Sequence, residues 1–98
     1  MRIDLVHQPD WGSGCWVVEL VSDNPNVGTL ASLSWGGRAH AGACRKGAEA
    51  YLRGEFRNPY DWARGIGLAQ LGRRGFRNAW QEGWTTAQTL AHSERRHR

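Results

Sequence analysis

The stretch "TLASLSWGGRAHAGACRKGAEAYLRG", Thr29 to Gly54, changes its period part-way along. Up to Trp35 it alternates, Ala31, Leu33 and Trp35 against Leu30, Ser32 and Ser34, which is the pattern of a strand with one buried face. Beyond Gly36-Gly37 the repeat lengthens to a helical one, with Cys44, Ala48 and Leu52 in one row and Ala43, Gly47 and Tyr51 in the next. This spacing predicts a helix from about Arg38 to Arg53 that stops at Gly54, a natural C-cap residue. Residues before the switch read as sheet and residues beyond it as helix.

Toward the N-terminus, "RIDLV" sets Ile3 and Leu5 against Arg2 and Asp4. The run "CWVVELV", Cys15 to Val21, is rich in β-branched residues and is bounded by the turn-forming "PDWGSG" and "SDNPN". With Thr29 to Trp35 these segments predict a small antiparallel three-stranded meander. Toward the C-terminus, Asn58-Pro59 marks a turn, and a second helix is expected from about Leu68 to Ala91. Its segment "RRGFRNAWQEGW" puts Phe76, Trp80 and Trp84 in an apolar stripe beside Arg73, Arg77 and Gln81. Glycines at 72, 75 and 83 each cost such a helix about 1 kcal/mol relative to Ala, and close approach of another backbone is the usual reason to keep them. The tail "HSERRHR", His92 to Arg98, has no apolar residue and reads as a flexible basic end. The expected architecture is α+β: a meander followed by a two-helix hairpin packed on one face, in a single domain over residues 1–91.

Ninety-eight residues supply one modest core, and a hydrophobic content of 40% with six Trp favours a folded chain. No run of 18 apolar residues occurs, and the N-terminus lacks the pattern of a signal peptide, so a cytoplasmic protein without a membrane partner is expected. In that setting Cys15 and Cys44 read as free, buried thiols. Charge is segregated: residues 1–37 carry one basic residue against four acidic, whereas residues 38–98 carry twelve against five. A basic C-terminal two-thirds, almost all Arg, points to an anionic partner, nucleic acid before membrane, although a GC-rich genome also writes Arg for Lys.

His7, Cys15, His40 and Cys44 are possible metal ligands, but there is no C-x-x-C or H-x-x-x-H pair, and no metal is expected. There is no G-x-S-x-G, P-loop or H-E-x-x-H, and the carboxylates show no pairing suited to acid-base work. The glycine-rich "GIGLAQLG", Gly65 to Gly72, has no strand before it in a βαβ unit. A non-enzymatic protein without cofactor is therefore expected.

The series Gly47, Ala50, Gly54, then "NPY" at Asn58 to Tyr60, then "RGFRNAWQEGW" closing with Ala87, resembles the ribosome modulation factor family and its small phage and plasmid relatives. That family carries a G-x-x-A-x-x-x-G helix, an N-P-Y or C-P-Y turn and an A-W-x-x-G-W-x-x-A helix, matched here by Ala79, Trp80, Gly83, Trp84 and Ala87. The likeness covers about residues 47 to 87, and its specificity lies in the combined order and spacing. It implies a binding protein that inhibits translation by contacting the ribosome or ribosomal RNA, here through Arg53, Arg57, Arg73, Arg74 and Arg77.

Apart from any family, Gly47 and Gly54 on one helix and Gly75 and Gly83 on the other predict close backbone approach. Tyr60, Trp80 and Trp84 would fill the wedge, as core first and as base-stacking platforms second. Arg73 and Arg77, one turn apart with Arg74 adjacent, are spaced to track successive phosphates or to form a solvated flank. The alternative function is an inhibitor of the anti-defence kind that docks on a host protein or nucleic-acid-guided complex. The meander would then be the docking surface, with Trp11 and Trp35 either as exposed anchors or as caps on the sheet's apolar face. A homodimer is compatible with both readings.

Overall fold

The computed structural model describes residues 1–8, 15–60 and 68–96 of the chain, the last with side chains over 75–94. Strands β1 (Arg2–Gln8), β2 (Cys15–Val21) and β3 (Thr29–Trp35) precede helices α1 (Arg38–Leu52) and α2 (Leu68–Arg96). The sheet is antiparallel in the order β1-β2-β3. Its register places Ile3 opposite Leu20, Leu5 opposite Val18, Val18 opposite Leu33 and Trp16 opposite Trp35. Since side chains alternate along a strand, these apolar residues share one face, and the helices cover it. The pairing shifts between Leu20 and Val21, so that Thr29 and Ala31 bracket an extra residue, Leu30, in a bulge. This α+β arrangement is the one the change of period predicts.

The core is built from medium-sized strand residues and small helix residues. Val18, Leu20, Ala41, Cys44, Ala48, Ala79 and Ala87 are all buried, and among the described residues Trp80 is the one aromatic sunk nearly as deep, at 2% exposure. Small residues let the helix axes come close, and two glycines bring backbone onto backbone. A Cβ on Gly47 would stand 1.9 Å from the carbonyl oxygen of Trp80, and one on Gly83 would stand 2.0 Å from that of Cys44. The other two predicted contact glycines serve different ends. Gly54 has φ +77 and open space around its Cβ position, and it ends α1 as a left-handed C-cap. There Glu55 N donates to Ala50 O at 2.9 Å and Gly54 N to Tyr51 O at 3.0 Å, the paired bonds of a Schellman motif. Gly75 makes room for a side chain, since its Cβ would lie 2.7 Å from His40 Nε2.

The two helices follow the sheet and pack on it as expected, and their relative direction can be read from their contacts. Over the length of the pair contacts rise together, from His40 at Phe76 to Tyr51 at Trp84, with the close crossing of Gly47 at Trp80 and Gly83 at Cys44 between them. Hence α1 and α2 run in the same sense. The segment after α1 makes the return, with Glu55 at Trp84, Asn58 at Arg77 and Tyr60 at Phe76, in descending order along α2.

At the C-terminus α2 runs on through Arg96, although a flexible tail is expected from His92. No residue between Ala91 and Arg96 breaks a helix, and Ser22 Oγ donates to Glu94 Oε1 at 2.6 Å, tying the last turns to the sheet. At about 1.5 Å per residue, the 29-residue helix is about 43 Å long and accounts for most of the 47 Å long axis.

Candidate nucleic-acid interface

Of the predicted phosphate contacts, Arg53 and Arg57 are exposed beyond the end of α1. Arg53 is committed within the protein: its Nε and Nη2 donate to the two carboxylate oxygens of Glu55 at 3.2 and 3.3 Å, and Nη1 lies 3.8 Å from Glu49. Those bonds with Glu55, and its charge, raise an already high pKa further. Arg57 has no ion-pair partner among the described residues. Arg77 is half-buried, and its carbonyl accepts a 3.1 Å hydrogen bond from Asn58 Nδ2. Arg73 and Arg74 belong to α2, but their side chains lie outside the described residues, as does Trp11 altogether.

The structure adds a groove that the sequence did not single out. Arg38, Gly42 and Lys46, spaced four apart, form one edge of α1. Together with Ala39, Ala43, Tyr60 and Phe76 they line a cavity of about 500 Å³. Its far wall is aromatic, since Phe76 stacks on His40 at 4.6 Å between ring centroids and meets Tyr60 at 5.8 Å. Tyr60 is held there by Asn58, a buried polar residue, which accepts from Tyr60 N at 2.9 Å through Oδ1 while donating to Arg77 O. One side chain thus fixes the turn and fastens it to α2.

Among the described residues the groove carries only positive charge. Among the described residues no carboxylate lines it, and Lys46 is exposed with no ion-pair partner. The Arg38 guanidinium lies 5.5 Å from the centre of the Trp16 ring, a cation–π contact that leaves its charge uncompensated. The first turn of α1 contains no acidic residue, and its N-cap, Gly37, offers no side-chain acceptor, so the free N–H groups add to the positive end.

The remaining aromatics divide by burial. Trp80 is core, whereas Trp84 is half-exposed, donates its indole N–H to Glu55 O at 2.8 Å and meets Tyr51 and Phe56 edge-on. Trp35 packs against the core rather than standing free as an anchor. Its Nε1 is buried without a partner of normal geometry, and the nearby Cys44 sulfur is only a weak acceptor. Burial pushes the Cys44 thiol up to about 11; the Trp35 indole opposes that rise and the Glu82 charge adds to it. Cys15 and Cys44 are both free. His7 stacks on Trp16 at 4.4 Å, and among the described residues no three His, Cys, Asp or Glu side chains gather as a metal group. At the other end of the sheet, a cleft of about 310 Å³ is lined by Ser22, Val27, Leu30 and Leu90 with the carboxylates of Asp23 and Glu94. Its charge is opposite in sign to that of the groove.

No helix among the described residues is long and apolar enough to cross a membrane. The chain matches no family model, no curated protein and no solved structure.

Proposed function

We propose that this is a small, non-enzymatic RNA-binding protein whose target is the ribosome or ribosomal RNA, and that it lowers translation by occupying it. The observation that carries this reading is the groove of α1 and α2, where Arg38 and Lys46 lack carboxylate neighbours among the described residues and face the aromatic wall of Tyr60 and Phe76. Cations beside half-buried rings at the edge of a groove suit a strand that offers both phosphates and bases. Segregation of basic residues to 38–98 and the resemblance of residues 47–87 to ribosome modulation factors point the same way. Arg57 and Arg77, with Arg73 and Arg74 as candidates from the sequence alone, are the further phosphate contacts of this reading, while Arg53 joins them only by giving up Glu55.

The test is binding to ribosomes and to ribosomal RNA across a salt series, for wild type and for a variant with Arg73, Arg74 and Arg77 all changed to Gln. If the three touch phosphates of a single strand, the log-log slope of affinity against salt becomes shallower by about 2, at about 0.7 per contact. A wild-type protein that ignores ribosomes and RNA at physiological salt rejects the reading. The competing reading, an inhibitor docked on a host protein complex, draws on Phe56, 75% exposed and edge-on to Trp84, and on Leu52, 43% exposed at the end of α1. Co-purification with one defined protein complex, lost on Phe56→Asp, would favour it.

A further inference from the structure

We propose that the groove holds one unpaired nucleotide of a single-stranded RNA, its base against Tyr60 and Phe76 and its phosphate between Arg38 and Lys46; this rests on the RNA reading above. The cavity, about 500 Å³, falls within the range of about 300–1,000 Å³ that accommodates small ligands, and a nucleotide is of that size. An acidic peptide would satisfy the two cations but leave the aromatic wall unused. A duplex would present phosphates but keep its base faces stacked inside the helix. An unpaired nucleotide uses both walls.

Gly42 supports the same occupant. Glycine weakens a helix interior, so its presence there calls for a reason. Gly42 is not among the positive-φ residues, and a Cβ at this position would meet nothing within 4 Å. Neither backbone conformation nor packing requires it, in contrast to Gly47 and Gly83. What its missing side chain leaves open is the floor of the groove, one turn from Arg38 and one turn from Lys46.

Anisotropy titrations of the full chain test the assignment, using a fluorescein-labelled single-stranded RNA of about 12 nucleotides and a duplex of equal length. The single strand is expected to bind about tenfold tighter than the duplex or better, at the scale of one stacked base. Gly42→Leu is expected to lower that affinity about tenfold while melting at or above the wild-type temperature, because Leu is the better helix former and its Cβ enters open space. Tyr60→Leu is expected to lower it similarly and to abolish the fluorescence quenching of a 2-aminopurine placed in the strand. A folded Gly42→Leu protein that binds the single strand like wild type overturns the groove assignment while RNA binding stands. Should that variant not fold, unchanged affinity and quenching in Tyr60→Leu overturn it equally. If the wild type binds neither RNA, the RNA reading falls and the nucleotide falls with it; binding of a polyglutamate peptide would then reassign the groove to an acidic protein segment.

Discussion

Gly47 of α1 lies against the main chain of Trp80 in α2, and Gly83 answers it against Cys44, so each helix has a glycine pressed on the other's carbonyl. The obstacles at 1.9 and 2.0 Å are backbone atoms, which have no rotamer to escape into. Gly47→Ala and Gly83→Ala are each expected to destabilise by about 3 kcal/mol or more, the upper end of overpacking costs. Gly42→Ala, in open space, is expected to gain up to about 1 kcal/mol. Urea midpoints of the three variants check the contrast; equal effects would show that the close approach is not what these glycines provide.

Trp80 and Trp84 occupy corresponding places in the sequence motif but not in the core. Trp80→Ala removes a buried ring and is expected to cost about 3–5 kcal/mol. Trp84→Ala removes a half-exposed ring and one hydrogen bond to Glu55 O, and about 1–2 kcal/mol is expected. Thermal melts of the two variants should therefore separate clearly.

Asn58 holds the turn that sets the aromatic wall. Asn58→Ala leaves the carbonyl of Arg77 and the amide of Tyr60 without this partner and is expected to cost about 1–3 kcal/mol. Asn58→Asp keeps the acceptor but loses the donor, so it too is destabilising. Loss of the Tyr60–Phe76 contact can be monitored by near-ultraviolet circular dichroism, which should change in both variants.

The Cys44 thiol ionises at about 11 in the folded chain against 9.0 for an exposed thiol, because burial disfavours the thiolate. The unfolded state therefore releases this proton first as pH rises. The contribution of Cys44 to stability is complete below pH 9, declines between pH 9 and about 11, and then levels off. Urea titrations from pH 8 to 11 should show wild type losing stability relative to Cys44→Ala across that window. At pH 8 a disulfide exchange reagent should label the half-exposed Cys15 quickly and Cys44 only on unfolding.

The strands and α1 were legible because alternation and the four-residue repeat are local signals, and both end at glycines placed where a turn or cap is needed. Trp80 as core was legible for the same reason. The distinct jobs of Gly47, Gly54 and Gly75 were not, since a glycine looks alike in sequence whether it relieves a backbone, a cap or an imidazole. The direction of α2 was also hidden: a connection as long as residues 53–67 can return along α2 or fold straight back, and the choice rests on Asn58 meeting Arg77. The groove escaped notice because its two walls are distant in sequence. Arg38 and Lys46 look like ordinary solvated residues until Tyr60 and Phe76 stand opposite them. The pairing of Arg53 with Glu49, by contrast, obeys a helical i,i+4 spacing that could have been read directly.

Because α1 and α2 point the same way, their peptide dipoles reinforce each other instead of cancelling as in an antiparallel pair. Each brings about half an elementary positive charge to its N-terminal end. The start of α1 lies at the groove, beside Arg38, and α2 begins on the same side of the molecule, two turns before Phe76. This attraction belongs to the main chain, so it does not titrate and survives the removal of every cationic side chain nearby. The direction of the helices thus favours negative charge over positive at this end of the molecule. Only an opposing charge offsets it, such as Ala39→Glu in the exposed first turn of α1, and by the same electrostatics that change would make the helix more stable by about 0.3–1 kcal/mol. At this end of the molecule, stability and attraction for anions are set against each other.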